Sequence, residues 1–195
     1  RNYERSRQEY FQGLEGVDCR ELSCGQIFLT AVGTLQVVHT PGHTLGHCCF
    51  YAAEKQLLFS GDHLLAKVWP NPLLEEDHQG KRYRSYVAYL ESLKRVNGLR
   101  IEQVFPGHGP AFAGISEVMK RFQAYHWERE RRVLNCLNKK GQTPYQITAQ
   151  LYPEARELNL FLTLSKVWGY LDALTVQGLV KEGSDQGVIT YCKIF

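Results

Sequence analysis

Val38-His39-Thr40-Pro41-Gly42-His43-Thr44-Leu45-Gly46-His47 is the stretch on which the reading of this chain turns. An apolar, β-type run leads into a Pro-Gly turn that presents a histidine at its tip. Two later segments repeat the arrangement, Ser60-Gly61-Asp62-His63 and Phe105-Pro106-Gly107-His108-Gly109. Loop tips of this kind look like metal ligands offered along one edge of a sheet. Neutral imidazole and carboxylate both suit a borderline ion such as zinc. An Asp can also bridge two ions that clamp and acidify a water between them. His43, Asp62 and His108 are too few for two ions, and no His-x-His-x-Asp-His cluster occurs anywhere in the chain. The chain reads as part of a metal site.

Outward from these tips, the sequence predicts short strands at residues 27–31 and 35–39, joined by Val32-Gly33-Thr34. A second hairpin, residues 47–53 and 57–60, ends just before Asp62. Residues 71–80 are Pro-bearing and irregular. Helical spacing of Tyr86, Val87, Tyr89, Leu90, Leu93 and Val96 follows, with Gly98 as the stop, and then a strand at 101–105. The expected fold class is α/β (α+β), with the candidate ligands at strand ends. The polar segment 3–13, with Tyr3, Tyr10 and Phe11, is a further expected helix.

Composition changes near Gly114. A long charged helix is expected over 116–138, with Ser116 as its N-cap. A shorter one runs over 143–151, with Thr143 capping and Pro144 at the first helical position. A third covers 159–177, its core face built from Phe161, Leu164, Val167, Trp168 and Leu171. A hairpin over 178–192 closes the chain. Three helices followed by a hairpin is the winged-helix arrangement, so the expected domains are 1–115 and 116–195.

Length and composition exclude several classes. At 195 residues with 44% hydrophobic and 22% charged residues, the chain has ample material for a core. The net charge of +3 does not call for nucleic acid. Lys120, Arg121, Arg129, Arg131 and Arg132 alternate with Glu117, Glu128 and Glu130, which reads as a salt-bridged exposed helix. The helix that would read bases carries only Lys166 as a basic residue. No run approaches the roughly 18 apolar residues of a membrane span. The six cysteines show no C-x-x-C; Cys48 and Cys49 point to opposite faces of a strand, and only Cys19 and Cys24 offer a pairing. Reduced thiols and a cytoplasmic setting are expected. The charged start without Met suggests that the chain begins inside a longer sequence.

The three motifs, in order and with matching spacers such as Tyr89-Leu90-Glu91-Ser92-Leu93, resemble the later motifs of the metallo-β-lactamase superfamily. Hydroxyacylglutathione (glyoxalase II-like) hydrolases belong to that superfamily. The appended helices resemble the branch with a C-terminal winged helix, which includes proteins of the LACTB type. The resemblance implies the C-terminal half of an αββα sandwich and a zinc-dependent hydrolase of thioesters, esters, lactams or phosphodiesters. It makes His43 a ligand of the first metal, Asp62 the bridging and catalytic carboxylate, and His108 a ligand of the second. It places the remaining ligands upstream of Arg1, so the chain alone is expected to be inactive. His39, His47 and His63 are expected to hydrogen-bond or pack around these ligands, and His78 and His126 to be solvated or locally bonded. The half-sandwich face is expected to be covered by a second copy or another element. A small-molecule substrate is the expected partner, with neither membrane nor nucleic acid. The competing expectation is a non-catalytic binding or nucleic-acid-interacting module that kept the fold.

Overall fold

Cross-strand register decides which side chains form the core and which are left over. The computed structural model describes residues 20–194 apart from Val32, so the segment 3–13 and Cys19 lie outside it. Five strands form one sheet in sequential order: β1 (Ile27–Thr30), β2 (Gly33–His39), β3 (Cys48–Ala52), β4 (Leu57–Gly61) and β5 (Gln103–Pro106). The first four are antiparallel neighbours, and β5 runs parallel to β4. A parallel neighbour needs a long crossover. The loop 62–84 and helix α1 (Ser85–Asn97) supply it.

Strand side chains alternate between faces, and the two faces of this sheet have different fates. Val38, Cys49, Tyr51, Leu58 and Val104 are buried against α1 residues Tyr89, Leu93 and Val96. The opposite face carries Phe50, Phe59 and Phe105 in direct register across β3, β4 and β5. Phe59 stacks on Phe105 with ring centroids 5.2 Å apart, and Phe28 meets Phe50 edge-on. None of these four phenylalanines belongs to the main core, and Phe105 is 38% exposed.

Beyond β5 come α2 (Ile115–Cys136), α3 (Pro144–Leu151), α4 (Glu157–Val176) and the hairpin β6 (Val180–Asp185) and β7 (Val188–Lys193). The order of three helices and a hairpin is the expected one. Gln142 adds a short bridge to Tyr191. The core does not break near residue 115: one cluster runs from Tyr51 and Leu58 through Phe122 to Leu171 and Tyr191.

Several local expectations need correction. Gly33 and Thr34 belong to β2, paired with Thr30 and Leu29, so the first turn is shorter than the sequence suggested. Ser116 is not the cap of α2; Gly114 occupies that position with φ +75°, a left-handed conformation that suits glycine. Thr143 does cap α3, accepting from the Gln146 backbone while the Gln146 side chain accepts from Thr143 N. Phe161, expected in the core, is 42% exposed, and the buried residues of α4 run from Ser165 to Leu174.

His126, expected at the surface of α2, is buried. Its ring packs on Phe122 and Tyr86, and Nδ1 pairs with the Tyr170 hydroxyl at 3.1 Å. Burial pushes its pKa down to about 3, with Lys166 and Arg129 adding to the effect.

Candidate metal centre

Each tip is set by a glycine with a specific steric duty. Gly42 has φ +135°, and a Cβ there would stand 2.3 Å from Tyr89 Cβ, so the turn lies directly on α1. Gly42 N donates to Thr44 O, which closes the turn beneath His43. At the second tip, Gly61 (φ +50°) lies under the His47 ring, where a Cβ would meet Nε2 at 2.9 Å. The pairing of β4 with β5 shifts register between Phe59 and Gly61, which turns Asp62 off the strand end. Gly107 N donates to Gly61 O, locking the third tip to the second.

The structure brings the three predicted residues together around one carboxylate. His43 Nε2 lies 3.6 Å from Asp62 Oδ2, and His108 Nε2 lies 3.5 Å from Asp62 Oδ1. His108 is the most open of the three, with its side chain 77% exposed. Neither contact is a hydrogen bond, and Asp62 Oδ1 is buried without a partner. His43 Nδ1 donates to the Asn71 carbonyl at 2.9 Å, since a carbonyl can only accept. His43 Nε2, the ring nitrogen not engaged by Asn71, faces Asp62 Oδ2. A cation shared by Nε2 and Oδ2, a proton or a metal ion, would complement this pair across its 3.6 Å. The donor set thus fits a metal on each side of Asp62, one His and one carboxylate oxygen apiece. Among the described residues no three His, Cys, Asp or Glu side chains close around a single point. Each position is accordingly half-built from this chain.

The flanking histidines support the tips. His39 Nε2 is 3.0 Å from Leu45 O, and His47 Nδ1 pairs with buried Thr40 Oγ1 at 2.9 Å. Burial is the main cause that lowers the His47 pKa, followed by the nearby His43. His63 is fully buried between His47 and Tyr89, with no hydrogen bond to either ring nitrogen. Burial pushes its pKa down to about 3; the Ser92 backbone opposes this without reaching hydrogen-bond geometry. A buried neutral ring here is packing rather than a proton carrier.

Three residues that sequence patterning passed over also bear on the centre. Asn71 supplies the carbonyl that fixes His43, Leu73 N donates to His43 O, and Glu75 accepts from Leu45 N at 2.5 Å. They lie in the segment read only as irregular; no periodicity marks them. Trp69 and Tyr86 pack against Phe122, Tyr125 and Tyr170. A groove of about 520 Å³ between α1, α2 and α4, lined by Leu90, Met119 and Val176, contains none of the three tip residues. Its chemistry is therefore not that of this centre.

A Bacillus subtilis (strain 168) protein named "Probable metallo-hydrolase YqjP" is 35% identical over 143 residues, which span 72% of this chain and 44% of the relative. "Thioesterase pkgB" of Emericella nidulans is 32% identical over 58% of this chain and 30% of its own length. A metallo-beta-lactamase family protein from Thermus thermophilus superposes with a TM-score of 0.72 at 27% identity, over 88% of this chain and 53% of that one. The chain thus spans about half or less of the length of the relatives it matches. Residues 24–108, which hold all three tips, match the family model described as "Metallo-beta-lactamase superfamily".

Proposed function

We propose that this chain carries the later half of the metal centre of a zinc-dependent hydrolase. His43, Asp62 and His108 would hold the metal, with the Asp62 carboxylate between the two imidazoles. The observation that carries the reading is the Asp62 carboxylate, faced by two imidazole Nε2 atoms with a buried oxygen left unpaired. Bound zinc would supply an acidified water and a Lewis acid for a carbonyl or phosphoryl group. The chain's own part is to hold the carboxylate between the imidazoles and to fix the His43 tautomer through Asn71.

The substrate in this reading is a small molecule with a thioester, ester, lactam or phosphodiester bond. The relative named as a thioesterase favours the acyl members of that set. Remaining ligands come from residues outside this chain, packed on the face that displays Phe50, Phe59 and Phe105, or from a second copy. The chain alone is then inactive. Residues 116–195 act as a winged-helix domain of the glyoxalase II-like or LACTB-like branch, packed on the hydrolase part rather than reading nucleic acid. The setting is the cytoplasm.

Calorimetric titration of Zn²⁺ into this chain and into a longer form carrying upstream residues tests the reading. Weak binding here, tight binding with thioester hydrolysis in the longer form, and loss of both in Asp62→Ala are expected. Absence of zinc binding in both forms, with salt-dependent DNA or RNA binding instead, would overturn it.

A further inference from the structure

The segment that orients His43 is itself held from the far end of the sequence. Asp172 on α4 has its side chain 1% exposed and receives both terminal nitrogens of Arg82, at 2.6 and 2.7 Å. The Arg82 guanidinium also lies 4.7 Å over the Trp168 ring and donates to Tyr191 Oη at 3.3 Å. A planar fork held on both oxygens and stacked on an indole has little rotational freedom. Ser165, about two turns back on the same face of α4, donates to the Pro72 carbonyl, and Ser85 donates to the Leu73 carbonyl at 2.6 Å. Gly169 lets α4 close on this region, because a Cβ there would stand 2.6 Å from Tyr86 Cβ. Asn71 directly precedes the Pro72 anchor, Leu73 is an anchor itself and Glu75 lies between Leu73 and Arg82; these are the three residues that bond His43 and Leu45.

We infer that Arg82 and Asp172 are positioning residues for His43: their buried ion pair clamps the segment 71–82 to α4, and that segment fixes the ring and tautomer of the ligand. The C-terminal helices are in this way part of the metal centre although they contribute no donor to it. The inference rests on the reading of His43 as a ligand, but the clamp acts on the ring whether or not a metal is bound. Partners that orient a ligating histidine typically change metal affinity about 10- to 100-fold when removed.

The test uses the unligated chain and reads the His43 ring nitrogens by long-range ¹H–¹⁵N correlation. Amide exchange at Leu73 and Leu45 is measured alongside, in wild type, Arg82→Lys and Asp172→Asn. Wild type is expected to show His43 with the proton on Nδ1. The variants are expected to show a tautomer mixture and at least about tenfold faster exchange at both amides, with β3 and β4 unchanged. Arg82→Lys keeps the charge and removes only the fork, so it remains informative if Asp172→Asn unfolds. Unchanged His43 shifts and unchanged exchange in folded Arg82→Lys would overturn the inference, as would an Nε2-protonated His43 in wild type. A locked Nδ1–H tautomer together with no zinc binding in either this chain or the longer form would overturn the proposed function and leave the clamp standing.

Discussion

Gly42 and Tyr89 stand so close that a Cβ on the glycine would lie 2.3 Å from the tyrosine's own Cβ. That contact seats the His43 turn on α1, and Tyr89 Oη in turn donates to His63 O at 2.6 Å, next to Asp62. Gly42→Ala adds a clash with backbone and Cβ atoms at a φ of +135° that alanine resists. We expect it to destabilise the chain by about 3 kcal/mol or more, measured as a drop in urea midpoint. Gly46→Ala, which meets nothing within 4 Å and is not at positive φ, is the matched control.

Breaking the buried ion pair has a stability cost of its own. Asp172→Asn removes the carboxylate that both Arg82 terminal nitrogens bond, leaving Tyr191 Oη and the electrostatic attraction of Glu182, at a site where the Arg82 side chain is 19% exposed. Removing one member of such a pair costs about 3–5 kcal/mol, and partial exposure of Arg82 places this pair near the low end. Urea unfolding should show a lower midpoint with an unchanged slope.

Acid should loosen the α1–α2–α4 contact through His126. Its folded pKa is about 3 against an ordinary value of 6.5, so the unfolded chain binds the extra proton between those values. The stabilisation is full above about pH 6.5 and is lost as pH falls toward 3. His126→Phe keeps a ring among Phe122, Tyr86 and Tyr170 and removes the titration. Its stability–pH slope below pH 6.5 should be flatter than wild type by up to one proton, or about 1.4 kcal/mol per pH unit. His63 contributes with the same sign in both proteins. Equal slopes would contradict the assignment.

The two faces of the sheet should respond differently to truncation. Leu58 is fully buried against the helices, and Leu58→Ala is expected to cost about 2–5 kcal/mol. Phe105→Ser, on the opposite face, should cost less than about 1 kcal/mol in this chain. In a longer form whose upstream residues pack on Phe50, Phe59 and Phe105, the same change should become as costly as Leu58→Ala. Denaturation of both variants in both forms measures the difference.

Much of the candidate centre was legible because it is local. A strand, a glycine turn and a His or Asp at the tip occupy only a few consecutive residues, and the spacing of α1 placed the crossover between β4 and β5. Thr143 and Pro144 announced the start of α3 for the same reason. The misread positions depend on partners far away in sequence. His126 sits on a helix whose neighbours are Glu, Trp and Arg, and only contact with Tyr86 and Tyr170 buries it. Phe161 follows the apolar stripe of α4 yet precedes that helix's first fully buried residue, Ser165.

By itself the sequence determined which residues stand at the tips, and hence that His43, Asp62 and His108 belong to one edge of a sheet. Motif chemistry and strand periodicity are properties of adjacent residues, so they can be read in one dimension. Only the tertiary structure decided that both imidazoles address opposite oxygens of a single carboxylate, and that Arg82 reaches Asp172 across 90 positions to hold the segment behind His43. Those relations are set by how α1 and α4 pack on the sheet, and no local pattern encodes a distance between elements so far apart in the chain.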